Sequence, residues 1–262
     1  MPRSIGLIII GDEILSGKRQ DKHFAKVLEL LTARGLQLAW AKYLGDDRER
    51  LTATLRDSFA GGDIVFSCGG IGATPDDHTR QAAAAALGTE LVLHPEAARL
   101  IAERTALMAR EGKAVSADMG TPENRQRLKM GEFPAGADIV PNPYNRIPGF
   151  TVRDHWFVPG FPVMAWPMIE WVLDTHYRHL FHRDVPGDRS MLVYELMEST
   201  ATPLMERIER EFPGIRVYSL PSMGEAGTRR HIELGVKGPV EGLDAAFEQL
   251  RLGALALGGE IR

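Results

Sequence analysis

Residues 63–79 read Asp-Ile-Val-Phe-Ser-Cys-Gly-Gly-Ile-Gly-Ala-Thr-Pro-Asp-Asp-His-Thr, an apolar run that ends in a glycine-rich loop. The apolar run 63–68 is typical of a strand buried on both faces. The alanine-rich stretch 79–87 after the loop is a strong helix former, and it ends before Gly88. This order of strand, loop and helix predicts an α/β fold with the glycine loop at the carboxyl end of a strand.

Two earlier segments repeat this order. The apolar run 4–10 leads into Gly-Asp-Glu-Ile-Leu-Ser-Gly at 11–17 and a helix at 23–34, and the predicted strand 36–44 leads into Gly45-Asp46-Asp47. Asp46 and Glu49 have the spacing of a capping box that opens the next helix. Repeated alternation predicts a three-layer α/β/α domain with a mostly parallel sheet. Because the carboxyl ends of parallel strands share one edge, the three loops predict one ligand-binding crevice there.

The remaining sequence predicts a second domain. Helices at 95–111, 122–130 and 162–177 and strands at 138–140 and 156–158 complete a first domain, which we place at residues 1–182, with a linker at 182–189. Residues 183–262 then show a strand at 191–197, a helix at 203–212, strands at 216–220 and 231–236, and a helix at 243–257. This β-α-β-β-α order predicts a small ferredoxin-like α+β domain.

Composition limits the class of protein. The 262 residues include one cysteine, Cys68, which excludes an internal disulfide framework, favours a cytoplasmic location and is expected in the core. No run approaches the roughly 20 apolar residues that span a bilayer. The net charge of −4 lacks the basic field that nucleic-acid binding needs. Gly224-Glu225-Ala226-Gly227 has the spacing of an RNA-binding KH loop, but it lies between two predicted strands and Glu225 would repel a phosphate backbone.

The glycine loop suits an anion. Glycines at 69, 70 and 72 let backbone amides approach a phosphate, and the following helix turns its positive end toward the same place. Carboxylates recur at this edge, at Asp12, Glu13, Asp46, Asp76 and Asp77. They would repel a phosphate unless Mg²⁺ or another divalent cation lay between, so we predict a cation held by Asp76 and Asp77. The alternative from the residues alone is a tight turn in which Asp46, Asp76 and Asp77 only cap helices.

Several motifs resemble the N-terminal part of the CinA family of competence/damage-inducible proteins, within the MoaB/Mog superfamily of molybdopterin-binding domains. They are the three loops above, Pro148-Gly149-Phe150 and Pro159-Gly160-x-Pro162, in order along the first 178 residues. The resemblance implies an α/β/α fold with a crevice for molybdopterin or a related pterin phosphate, and in some members a metal-dependent hydrolysis of ADP-ribose. On this basis the predicted ligand-binding residues are Gly11, Glu13, Asp46, Gly69, Gly70, Gly72, Thr74, Asp77, Thr79, Pro148 and Gly149, and the catalytic and metal-binding pair is Asp76 and Asp77.

The sequence also departs from the family pattern. Ala73, His23, Asn145 and Met164 stand where the family usually has proline, asparagine, glycine and glutamate. Three functions therefore stay open: a binder of a pterin or nucleotide, which ranks first; a metal-dependent ADP-ribose pyrophosphatase, with Asp76 or Asp77 holding the metal that activates water; and a scaffold that has lost its chemistry. The family's C-terminal nicotinamide mononucleotide deamidase domain is not expected. The expected partners are a small-molecule ligand and further copies of the chain in a homo-oligomer.

Overall fold

The computed structural model describes residues 3–183, 186–224 and 229–262. Backbone contacts divide the chain into two compact units, Met1–Arg183 and Asp184–Arg262. Residues 184 and 185 of the predicted linker lie outside the described residues, as do residues 225–227 of the loop with KH-like spacing. In the described ranges, no helix combines the length and the apolar character needed to cross a membrane.

The first unit alternates strands and helices as the sequence predicts. Its strands are β1 (Ile5–Ile10), β2 (Trp40–Leu44), β3 (Ile64–Cys68), β4 (Leu91–Leu93), β5 (Glu132–Pro134), β6 (Asp138–Val140), β7 (Gly149–Val152) and β8 (His155–Val158). Its helices are α1 (Asp12–Leu15), α2 (His23–Thr32), α3 (Arg48–Gly61), α4 (Thr79–Leu87), α5 (Pro95–Arg110), α6 (Pro122–Leu128) and α7 (Pro162–His176). Single 3₁₀ turns occupy Lys129–Gly131 and Arg178–Leu180.

The main sheet has the strand order β2-β1-β3-β8-β7-β6. Its first four strands are parallel, and β7 and β6 extend the sheet as an antiparallel hairpin beyond β8. This confirms the mostly parallel sheet. Strand β7, with the sequence Gly-Phe-Thr-Val, was not predicted because its first two residues were assigned to the Pro148-Gly149-Phe150 motif. Strands β4 and β5 pair separately.

Helices cover both faces of the sheet, and β1 shows why. Its six residues are all buried, and alternate side chains enter different cores. Ile5, Leu7 and Ile9 pack in the core that includes α2 and α7. Ile8 and Ile10 pack in the core that includes α3 and α4. Cys68 is buried in the first of these cores, as predicted.

Three local expectations need correction. Strand β2 begins at Trp40 and not at residue 36, and the segment predicted as helix 122–130 becomes a 3₁₀ turn at Lys129. The cap of α3 is Asp47, whose carboxylate accepts a hydrogen bond from the Arg50 N–H at 2.7 Å. Asp46, predicted for that role, is engaged elsewhere, because its Oδ2 accepts from the Asp12 N–H at 2.8 Å.

The second unit consists of β9 (Gly187–Tyr194), α8 (Glu198–Glu211), β10 (Arg216–Ser222), β11 (His231–Gly238), α9 (Leu243–Ala256) and β12 (Glu260–Ile261). Its sheet has the order β10-β11-β9-β12 with every pair antiparallel. The unpredicted strand β12 completes the β-α-β-β-α-β order of a ferredoxin-like domain. Helix α8 begins five residues before Pro203, which the sequence had indicated as its first turn.

Candidate functional site

A cavity of about 380 Å³, here called the cleft, lies where β1, β3 and β8 end at their carboxyl edge. The three loops predicted to meet there all contribute to its lining. Most of the predicted site residues line it, namely Gly11, Glu13, Asp46, Gly69, Gly70, Gly72, Thr74, Asp76, Asp77 and Pro148. The cleft is thus built from segments more than 130 residues apart in sequence, as the resemblance led us to expect.

Two predicted residues do not line the cleft. Gly149 is buried at the start of β7, where an added Cβ would lie 2.2 Å from the Phe157 carbonyl oxygen, so this glycine allows close packing of β7 on β8. Thr79 is fully buried at the first turn of α4. Its hydroxyl donates to the Gly69 carbonyl at 3.0 Å, and its N–H donates to the Gly70 carbonyl at 3.0 Å. Thr79 therefore positions the glycine loop without facing the cleft.

The turn after β3 requires glycine. Gly69 has φ +112° and Gly70 has φ +67°, in the region that side-chain-bearing residues avoid. A Cβ on Gly69 would lie 2.3 Å from the Ile10 carbonyl oxygen, and one on Gly70 would lie 2.2 Å from Thr79 Oγ1. The backbone consequently turns at the edge of the sheet, and Gly69 and Gly70 place no side chain between the backbone and the cleft.

The carbonyl groups of the loop are tied back into the protein. In addition to Thr79, the Arg80 guanidinium donates to the Gly72 carbonyl at 2.5 Å, and the Gln126 side-chain amide donates to the Ala73 carbonyl at 2.6 Å. Across the described residues, the N–H groups of positions 70–73 have no hydrogen-bond acceptor. Oriented amides without an internal acceptor form a concave site for an anion.

Arg80 adds positive charge behind the loop. The residue is 3% exposed, and its Nε and Nη1 find no acceptor among the described residues. Burial lowers the pKa of Arg80, but a guanidinium stays protonated in proteins. A buried cation that contacts the loop carbonyl raises the electrostatic potential at the loop amides. Sequence reasoning missed this residue, although an arginine directly after the loop was a readable signal.

Thr74 and Asp77 close the far end of the loop. Asp77 Oδ2 accepts from the Thr74 N–H at 2.8 Å and from the Thr74 hydroxyl at 2.5 Å. Asp77 therefore stabilises a turn within the loop and does not cap α4, whose preceding residue His78 makes no side-chain cap. The Thr74 side chain is also the main cause of a lowered pKa at exposed Asp76, so the Asp76 carboxylate is ionised at neutral pH.

Asp12 and Asp46 form a reciprocal pair that joins the first two loops. Asp46 Oδ2 accepts from the Asp12 N–H at 2.8 Å, and Asp12 Oδ1 accepts from the Asp46 N–H at 3.2 Å. The pKa of Asp46 is raised, first by burial and then by the neighbouring charges of Asp12, Glu13 and Asp76. Four carboxylates, those of Glu13, Asp46, Asp76 and Asp77, thus line the cleft opposite one lining cation, Arg19.

These carboxylates do not amount to a metal centre made by the protein. Within the described ranges, no group of three or more histidine, cysteine, aspartate or glutamate side chains is placed to hold a metal ion. Asp77 and Asp46 already accept hydrogen bonds from the backbone through the oxygens described above. The described residues therefore provide no three-ligand cation site of their own, and the divalent cation at Asp76 and Asp77 stays a prediction.

A second cavity of about 360 Å³, here called the side cavity, adjoins the cleft. Five residues line both spaces, namely Ile10, Glu13, Arg19, Gly160 and Phe161. His23 also lines the side cavity, and its Nε2 lies 3.0 Å from the Gly160 carbonyl, which can only accept, so Nε2 carries a proton. Its Nδ1 is buried and has no partner among the described residues. Burial raises the pKa of Cys68 nearby, so this thiol stays protonated.

Two departures from the family pattern meet in the cleft wall. The Asn145 side-chain amide donates to Met164 Sδ at 3.5 Å, and both residues line the cleft. The asparagine and the methionine thus contact each other where the family usually has a glycine and a glutamate. This wall of the cleft therefore presents the amide of Asn145 and the thioether of Met164, and position 164 supplies no carboxylate.

The three-layer arrangement, with a cleft at the carboxyl edge of a mostly parallel sheet, defines an α/β protein of the open-sheet class. Residues 6–179 match the model of a family described as "Probable molybdopterin binding domain", and the chain belongs to that family. It is 32% identical over 268 residues to a CinA-like protein of Anaeromyxobacter sp. (strain Fw109-5), covering 98% of this chain and 60% of the relative. The chain thus spans about three fifths of that relative's length.

Two further likenesses come from Thermoplasma acidophilum. Protein Ta0487 is 28% identical over 268 residues, which cover 98% of this chain and 95% of that protein. A crystal structure described as the protein CinA with unknown function aligns with a TM-score of 0.55 at 25% identity, covering 66% of this chain and 98% of the other. The predicted family and fold are confirmed.

Proposed function

We propose that the chain binds a pterin phosphate or a nucleotide in the cleft, with the phosphate at the glycine loop. The observation that supports this most is the set of N–H groups at 70–73 that find no acceptor among the described residues, above the buried guanidinium of Arg80. A phosphate oxygen supplies the missing acceptors with charge-assisted hydrogen bonds.

The carboxylates suit the other end of such a ligand. Amino and ring N–H groups of a pterin or a nucleobase are donors, and the free oxygens of Asp76 and Asp77 are acceptors. Glu13 and Asp46 enclose the same space from the facing loops. A ligand that is anionic at one end and rich in N–H groups at the other therefore matches the cleft better than free phosphate, which the four carboxylates repel.

Binding without turnover is the activity that we propose. A metal-dependent pyrophosphatase needs a cation to neutralise the diphosphate and to generate the nucleophile. The described residues hold no cluster of three metal ligands, and Met164 stands where the resemblance leads us to expect a glutamate.

The first prediction tests the two ends of the ligand separately. In Asp77→Asn the side-chain oxygen still accepts from the Thr74 N–H, so we expect the free energy of unfolding to change by less than about 1 kcal/mol. Loss of the charge should weaken binding of neopterin monophosphate about tenfold or more, and should leave inorganic phosphate unweakened. Calorimetry and a thermal melt measure these quantities.

Asp57→Asn, at an exposed position of α3, removes the same charge away from the cleft and serves as the control. The proposal is contradicted if neopterin monophosphate and AMP bind equally well to the parent protein and Asp77→Asn. It is also contradicted if neither compound shifts the amide resonances of residues 70–73.

The second prediction concerns hydrolysis. We expect the protein to release no AMP and no ribose 5-phosphate from ADP-ribose in the presence of Mg²⁺, Mn²⁺ or Co²⁺. Chromatography of the reaction mixture over many hours measures this. Cleavage that EDTA stops, that a metal restores, and that Asp76→Ala/Asp77→Ala abolishes would make the protein a pyrophosphatase and overturn the proposal of binding alone.

A further inference from the structure

A groove of about 450 Å³, here called the α5 groove, runs between helix α5 and the loop before β7. Arg104, Arg110 and Arg146 line it together with a single carboxylate, Glu103. Asn145 is the one residue that lines both this groove and the cleft. The groove is therefore a separate, positively charged space on the same unit.

The one carboxylate does not neutralise the groove. Glu103 pairs with Arg99 of its own helix, and it reaches Arg146 only at 3.7 Å. Arg104 and Arg110 form no ion pair or side-chain hydrogen bond with any described residue. Arg104 and Arg110 are six residues apart on α5, so their Cα atoms are separated by about 9 Å along the helix axis.

The facing loop is held together by hydrogen bonds of Asn142. Asn142 is 4% exposed, and its side chain donates to the Ile147 carbonyl at 3.0 Å and accepts from the Tyr144 N–H at 3.0 Å. The Arg146 N–H donates to the Asn142 carbonyl at 3.0 Å. This network leaves Tyr144 59% exposed on the groove. A loop ordered before binding loses little entropy when a ligand arrives.

Arg146 is held in a conformation that arginine rarely adopts. Its φ is +66°, in the left-handed region that glycine and asparagine favour. Its side chain is 70% exposed, so no packing in the described structure explains why this residue stands there.

We propose that the α5 groove binds a nucleoside diphosphate, with the diphosphate on Arg104, Arg110 and Arg146 and the base on the ring of Tyr144. Guanidinium groups pair with phosphate oxygens in a bidentate manner, and a flat base stacks on an exposed aromatic ring. Leu107, between the two helix arginines and 44% exposed, gives the base an apolar border. This site does not depend on the function proposed for the cleft.

The test is a titration of the full-length protein, labelled with ¹⁵N, with ADP and separately with inorganic pyrophosphate. We expect both compounds to shift amide resonances at 103–110 and 144–146, and ADP to bind at least threefold more tightly. Tyr144→Ser should remove the difference between them. Resonances at 70–73 report the cleft and those at 103–110 report the groove, so the outcome at one site does not decide the other, whereas Asn145 lines both spaces and is not counted for either.

Three variants complete the test. Arg104→Ser/Arg110→Ser should raise the Kd of ADP at the groove at least tenfold, and Arg207→Ser/Arg210→Ser should leave it unchanged. The second pair removes the same two charges from exposed positions of α8, and Arg210 lies in the last turn of its helix as Arg110 does in α5, although Arg104 is half-buried. Arg146→Gly should raise the Kd several-fold without lowering the melting temperature, since glycine accepts the positive φ.

The proposal is overturned if ADP causes no shift at 103–110 and 144–146, or if the two double variants bind ADP equally. It is also overturned if an oligoglutamate peptide shifts these resonances and ADP does not, because the groove would then serve an acidic protein. If Arg146→Gly binds ADP with an unchanged Kd, Arg146 does not contact the diphosphate and the proposed site is likewise contradicted.

Discussion

Thr79 shows how one buried side chain determines the shape of the cleft. Its hydroxyl and its N–H each donate to one carbonyl of the Gly69-Gly70 turn, so both carbonyls are hydrogen-bonded inside the protein. The N–H groups of positions 70–73 find no acceptor among the described residues. Thr79 was predicted as a ligand-binding residue, and its contribution is better described as positioning.

The third prediction follows from this contact. Thr79→Val keeps the shape of the side chain but leaves the Gly69 carbonyl without its donor, which should cost about 1–3 kcal/mol of unfolding free energy. Phosphate-ligand affinity should fall at least tenfold as the turn relaxes. Thr79→Ser retains the hydroxyl and should behave like the parent protein in both calorimetry and urea unfolding. If Thr79→Val binds the phosphate ligand as tightly as the parent protein does, the hydrogen bond to the Gly69 carbonyl is not needed for binding.

The sequence predicted the site residues that a tight backbone turn requires. It did not predict the residues that reach the site only because distant segments pack together. The glycines at 69, 70 and 72 predicted a turn. The acidic residues after the predicted strands indicated the same carboxyl edge of the sheet. Arg19 reaches the cleft from the segment after α1, and Phe161 from the loop before α7, because of how the chain folds back. No local periodicity or residue spacing predicts that these two residues reach the cleft.

At the scale of elements, His155 connects β8 to α3. Its Nδ1 donates to the Arg153 carbonyl at 2.9 Å, and its Nε2 accepts from the Ser58 hydroxyl at 2.7 Å. Its ring also packs on Phe59 with ring centroids 4.3 Å apart. Burial lowers the pKa of His155, so the folded protein favours the neutral ring.

The fourth prediction concerns pH. Because the folded pKa of His155 lies below the unfolded value of about 6.5, its stabilising contribution is complete above that pH and declines as the pH falls toward the folded value. The loss cannot exceed about 1.4 kcal/mol per pH unit. His155→Gln should flatten the difference in unfolding free energy between pH 7.5 and pH 5.5.

Urea unfolding followed by tryptophan fluorescence reports this well, since all four tryptophans lie in the first unit. Asp174→Asn is a suitable control. It removes a carboxylate whose pKa is lowered by Arg34, and it should leave the contribution of His155 in place. Identical pH profiles for the parent protein and His155→Gln would show that this ring does not titrate in the accessible range.

Element types were largely predictable, and their ends were less so. The long helices α5 and α7 and the buried strands β1 and β3 carry strong periods. Helix α3 was placed one residue early because Asp46 and Asp47 are both good caps, and only the contact of Asp46 with Asp12 decides between them. The two-residue strand β12 has no period and forms through pairing with β9.

At the scale of the molecule, the chain consists of two units with separate cores. The sheet of the first is mostly parallel and lies between helices, whereas the sheet of the second is antiparallel. The cleft, the side cavity and the α5 groove are all lined by residues of the first unit. A domain organisation of 1–182 and 183–262 was proposed from sequence because polar residues with Pro186 and Gly187 follow the last helix of the first unit.

The fifth prediction is that residues 1–183 fold alone and retain ligand affinity. The fragment contains every described residue of the cleft, so its Kd for neopterin monophosphate should agree with that of the full chain within about twofold, a difference of roughly 0.4 kcal/mol. Its tryptophan-monitored urea midpoint should also be unchanged. A fragment that unfolds cooperatively but does not bind would place part of the site in residues 184–262.

The reciprocal pair of Asp12 and Asp46 has a consequence for inheritance. Each carboxylate accepts the backbone N–H of the other residue, so a substitution at one position removes one hydrogen bond and leaves the other in place, because its donor belongs to the main chain. The two positions can therefore change one at a time, and a related chain that keeps only one of the two aspartates should keep one of the two bonds between the first two loops.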